Sequence, residues 1–83
     1  MMLYDHESMK LLKAGDVLWD QINLEPHLES QEYRRMNKLV LLQRWSNAAV
    51  SILVTRPELR LTWPIVTETA EKIELKAEVE LCP

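Results

Sequence analysis

The chain has 83 residues, a formal net charge of −3, one glycine (Gly15) and one cysteine (Cys82). A chain of this length is one domain, residues 1–83, that buries only about 60–65% of its unfolded surface, and its lone cysteine excludes an internal disulfide. The scarcity of glycine and the lack of phenylalanine argue against a turn-rich all-β fold, and no apolar run reaches the roughly 18–20 residues that cross a bilayer.

The N-terminus, Met1-Met2-Leu3-Tyr4-Asp5-His6-Glu7, lacks the basic start and apolar stretch of a signal peptide, so a cytoplasmic protein is expected. Residues 5–22 then read as an amphipathic helix capped by Asp5. Leu11, Ala14, Leu18, Trp19 and Ile22 share one face, and Lys10, Lys13, Asp16 and Asp20 share the other. Gly15 lies on the apolar side. Either a second helix crosses close to it or the helix breaks at Gly15-Asp16, and the crossing is the preferred reading. Asn23 to Pro26 ends the element, because the residue before a proline is pushed out of the α region.

Ser30 is a suitable cap for a second helix over residues 31–54, a stretch free of glycine and proline. Its first half mixes Tyr33, Met36, Leu39 and Val40 with Arg34, Arg35 and Lys38. In its second half Leu41, Leu42, Trp45, Ala48, Ala49, Val50, Ile52, Leu53 and Val54 point in nearly every direction. A helix apolar all round must be surrounded, and a chain this short covers about two of its sides. A β reading of residues 49–55 is the rival, because Val50, Ile52 and Val54 are β-branched. Thr55-Arg56-Pro57-Glu58 matches a capping box, which predicts a short helical turn through Leu61 that Pro64 interrupts.

The last segment reads two ways. Ile73, Leu75, Ala77, Val79 and Leu81 alternate with Glu74, Lys76, Glu78 and Glu80, the pattern of a half-buried strand. Strong helix formers fill the same stretch, and read helically Val66, Ala70, Ile73, Ala77 and Leu81 share a face. Since a lone strand has no partner, helix is the preferred reading. The alternative is a hairpin of residues 59–63 with 73–81.

Charge is distributed unevenly: residues 1–29 carry −4, residues 30–61 carry +4 and residues 62–83 carry −3. An acidic–basic–acidic order lets neighbouring elements pair their charges. The basic cluster Arg34, Arg35, Lys38 and Arg44 is otherwise a patch for a protein or, less readily in an acidic chain, for nucleic acid. His6 and His27 each have carboxylate neighbours, yet no two-histidine i,i+4 pattern or zinc spacing exists. Cys82 sits among glutamates, which do not activate a thiol. Neither a catalytic group, a cofactor nor a metal is expected, and the chain is not read as an enzyme. Trp19, Trp45 and Trp63 fall one per segment and are expected to meet in a shared core, although Trp63 beside Pro64 also suits an exposed anchor.

The sequence therefore predicts an all-α bundle of two long helices and a shorter C-terminal helix, with an α+β fold carrying the C-terminal hairpin as the alternative. Functionally it predicts a protein–protein interaction module, an adaptor, inhibitor or chaperone-like regulator acting as a homodimer. Leu41, Leu42, Trp45, Ala49 and Ile52 are expected to mediate self-association, and Arg34, Arg35, Lys38 and Trp63 to bind the partner. The runner-up is a small nucleic-acid-binding regulator using Arg34, Arg35 and Lys38.

Overall fold

The computed structural model describes residues 9–83. In chain order they form strand β1 (Val17–Asn23), a 3-10 turn (Pro26–Leu28), helix α1 (Gln31–Thr55), and strands β2 (Leu59–Leu61), β3 (Ile65–Glu68) and β4 (Lys72–Leu81). This is an α+β protein with one long helix on a four-stranded antiparallel sheet. The all-α helical bundle predicted from composition is wrong, and the α+β alternative fits.

The chain departs from a helix at Gly15. Its φ of +96° is a backbone conformation that residues with a Cβ rarely adopt, so no helix runs through it and no second helix crosses there. The amide of Gly15 instead donates to Val79 O at 2.7 Å, and Val79 N donates to Asp16 O at 2.8 Å. A turn over residues 13–16, closed by Asp16 N to Lys13 O and by Lys13 N to the Asp16 carboxylate, feeds directly into β1. Leu18 and Asp20 of β1 face the helix, whereas Val17 and Trp19 face outward. The proposed cap Asp5 lies outside the described residues.

Strand β4 organises the sheet. On one edge its residues 72–78 pair with β1, from Val17 opposite Glu78 to Asn23 opposite Lys72. On the other edge it pairs with β2 near its end and with β3 near its start. Ile73, Leu75, Ala77 and Val79 are all buried against the helix. The alternation across residues 73–81 therefore reports a strand, and the C-terminal helix is overturned. Helix propensity of Glu, Lys and Ala is a weak preference that burial of a period-two stripe overrides.

The hairpin alternative placed residues 59–63 opposite 73–81, and Leu59 does pair with Leu81 and Leu61 with Val79. The pairing is then interrupted. Four residue steps from Leu61 to Ile65 span three from Val79 to Lys76, so one extra residue forms a bulge. Pro64, which has no amide proton to give a ladder, sits in it. Thr62 holds the bulge shut: its N donates to Glu78 O, and its Oγ1 accepts from Glu78 N, both at 2.9 Å. The helical turn expected from Thr55-Arg56-Pro57-Glu58 is absent. Thr55 ends α1 with its hydroxyl donating to Ser51 O, and β2 begins three residues after Arg56.

Helix α1 matches its prediction. Ser30 caps it, its Oγ accepting from Tyr33 N at 3.1 Å. Leu41, Ala48 and Ile52 pack on Leu18, Leu59, Leu61 and the buried stripe of β4 to form the core. The three tryptophans do not share that core. Trp19 lies on the outer face of the sheet, and Trp45 stacks on an exposed Trp63 with ring centroids 5.4 Å apart.

Candidate interaction surface

The sheet covers α1 on one side only. At 100° per residue, Leu41, Ala48 and Ile52 define the inward direction. Met36, Leu39, Val40, Val50, Leu53 and Val54 fall on the opposite half of the helix and remain 44–76% exposed. They follow a heptad: residues 36, 43 and 50 in one row, and 39, 46 and 53 in the next, the spacing of a helix-packing seam. Gln43, Ser46 and Asn47 occupy its middle, with Gln43 Nε2 donating to Asn47 Oδ1 at 3.0 Å.

No formal charge lies on this face between Met36 and Thr55, because the two cations in that stretch are turned away from it. Arg44 donates to both carboxylate oxygens of Asp20 at 3.2 Å. Asp20 is 2% exposed and also accepts from Gln21 N, so a carboxylate occupies a core position of β1 because a helix cation reaches over to it. Lys38 pairs with Glu68 on β3. One turn earlier, Arg34 reaches Glu29 at 2.8 Å, Glu68 at 3.4 Å and the carbonyl of Thr69 at 3.0 Å. The hydrogen bond to Glu29 raises the Arg34 pKa above its ordinary value, and the hydrogen bond from Lys38, aided by Arg34, holds the Glu68 carboxyl below the usual carboxylate range.

These pairs locate each residue singled out in the sequence. Leu41 and Ile52, expected to mediate self-association, are fully enclosed within the subunit and present nothing to a partner. Leu42 is 36% exposed, and Trp45 and Ala49 are half-buried packing residues. Of the basic set, Arg34 and Lys38 are occupied by Glu29 and Glu68, which sets a cost on releasing them to phosphate. Arg35 is exposed and makes no ion pair among the described residues. Trp63 is 83% exposed, and the Trp45 ring it stacks on is fixed by Nε1 donating to Thr62 O at 3.2 Å. The acidic–basic–acidic order is realised as internal pairing between the helix and the strands, together with Arg60–Glu80 across β2 and β4.

His27 is an exposed residue of the 3-10 turn, 4.0 Å from Glu25, while His6 lies outside the described residues. The thiol of Cys82 donates to Leu59 O. Among the described residues no group of three or more His, Cys, Asp or Glu side chains is placed to hold a metal ion, and no helix is long and apolar enough to cross a membrane. The residues that the sequence reading did not assign to the surface are Met36, Leu39, Val40, Val50, Leu53 and Val54. Their heptad spacing and freedom from charge were the signals that mark them.

No protein-family model, curated protein or solved structure matches the chain.

Proposed function

We propose that the chain is a protein-interaction module, an adaptor, inhibitor or regulator in the cytoplasm, whose working surface is the outward face of α1. The observation that carries this reading is a stripe about 28 Å long, at 1.5 Å per residue, that is apolar at both ends, uncharged throughout and uncovered by its own sheet. Monomers rarely leave so extended an apolar surface in water. Covering these six side chains, each roughly half exposed, at about 1.5–3 kcal/mol per full burial, offers on the order of 4–9 kcal/mol from this chain. Association itself costs ~4–15 kcal/mol, so a partner must bring comparable apolar surface. Catalysis has no part in this reading.

A photo-cross-linking residue at Val50 tests it in the native cell, with one at Thr67 on the outer sheet face as the control. The expected result is a polypeptide adduct from position 50 and none from position 67. Failure of position 50 to capture any polypeptide overturns the proposal.

A further inference from the structure

We propose that the occupant of the α1 face is a second copy of the same chain, lying antiparallel across a two-fold axis near residues 44 and 45. This rests on reading that face as a docking surface, and it adds the partner and its orientation. Three observations carry it.

The first is that the stripe is nearly palindromic. An antiparallel seam pairs the two heptad rows with each other, which here sets Met36 against Leu53 of the other copy, Leu39 against Val50, and Gln43 against Ser46. All six positions are exposed or half-exposed in the single chain, and every pair joins like with like. The polar pair falls at the centre. A polar contact within an otherwise apolar seam penalises slipped registers, in which Gln43 would face a leucine or valine. Gln43 is already oriented by its hydrogen bond to Asn47.

Charge supplies the second observation. The last turn of α1 contains no basic residue, and its first turn contains Glu32. Arg35 is the one helix cation without an ion-pair partner among the described residues. In the antiparallel arrangement Arg35 lies beside residue 54 of the other copy, next to the carbonyl groups that end its helix, where a cation is favoured. A parallel arrangement would bring the two Arg35 side chains to the same end.

The third is that no described residue outside α1 lies over this face. The sheet lies wholly on the inward side of α1, where Leu41, Ala48 and Ile52 meet β2 and β4, so two copies joined at the helices form a sheet–helix–helix–sheet stack.

The test uses full-length chains in which Cys82→Ser has removed the native thiol. Met36→Cys and Leu53→Cys variants are purified separately, mixed and mildly oxidised, while light scattering reports the mass of the unmodified chain. The expected outcome is a dimer by mass and a disulfide joining the two variants in preference to either with itself. Arg35→Glu should raise the dimer dissociation constant by roughly 3- to 30-fold, the scale of two helix-terminus charge contacts. Leu39→Glu with Leu53→Glu should give a folded monomer by circular dichroism. A monomer at high micromolar concentration, a preference for like-with-like disulfides, or a dimer unmoved by Leu39→Glu with Leu53→Glu each overturns the inference. If the chain is a monomer and Val50 still cross-links to a different polypeptide, the docking surface survives and only the second copy is lost.

Discussion

Leu41 and Leu42 are consecutive residues of α1, yet the first has no surface in water and the second keeps 36% of it. The same division runs the length of the helix. On the inward side, Leu41, Ala48 and Ile52 meet the sheet, and Arg34, Lys38 and Arg44 reach past them to carboxylates on neighbouring segments. On the outward side, from Met36 to the end of the helix, are residues of the same apolar types with no sheet and no charge. Residue identity alone does not separate the two faces. One layer of sheet has only one face to offer, so a helix apolar all round must leave half of itself uncovered.

The comparison breaks most sharply if both faces respond alike to truncation. Leu41→Ala should cost about 2–5 kcal/mol, the range for a large residue removed from a packed core, which is most of the margin of a domain this small. Leu39→Ala should cost under ~0.5 kcal/mol in the isolated subunit, as exposed substitutions do. Urea unfolding at a concentration where one species is present measures both. Similar losses would mean that the outward face is already covered.

A smaller effect is expected at the charged rim of the inward face. Arg44→Met leaves Asp20 buried with the Gln21 amide as its remaining donor among the described residues, and the expected loss is about 1–3 kcal/mol. Adding Asp20→Leu should restore part of that stability, since an apolar pair often replaces a buried ion pair without loss. A double-mutant cycle reads the coupling directly. Additive losses would show that Arg44 does not neutralise Asp20.

The smallest effect is titration. Glu68 is held low by Lys38 and Arg34, Glu58 by Arg56, and Glu74 by Lys72. A carboxyl whose folded pKa is depressed contributes stability that is present above its unfolded value and lost as pH falls through the folded one. The melting temperature should therefore drop as the solution is acidified below about 4.5, the ordinary value for these groups. Glu68→Gln should flatten part of that acid limb. An unchanged profile would remove Lys38 and Arg34 from the stabilising contacts.

Much of this was legible residue by residue. Ser30 and the glycine- and proline-free run after it marked α1, and the alternation from Ile73 to Leu81 contained β4 in full. That alternation was outweighed by helix propensity because the one partner in view, residues 59–63, makes only a two-stranded hairpin, which is marginal by itself. The missing partner was β1, and two features hid it. Asp20 stands at a core position where the period-two rule expects an apolar residue, and the adjacent Leu18 and Trp19 look like one apolar block although they point to opposite faces. Arg44, 24 positions along the chain, is the cation that makes the buried carboxylate tenable, and no local reading supplies that contact. The surface on α1 was half visible: the excess of apolar circumference was plain, but Leu41 and Ile52 were assigned to the wrong side.

What the sequence determined by itself is whatever depends on short-range geometry: a capped helix over residues 31–54 and charges arranged to pair across segments, while the period-two alternation at 73–81 and the break at Gly15 were present in it only as the less favoured readings. The tertiary structure decided which strand lies beside β4 and which half of α1 is left in water. Those outcomes depend on where the sheet is laid down, and that position follows from contacts between residues distant in the chain.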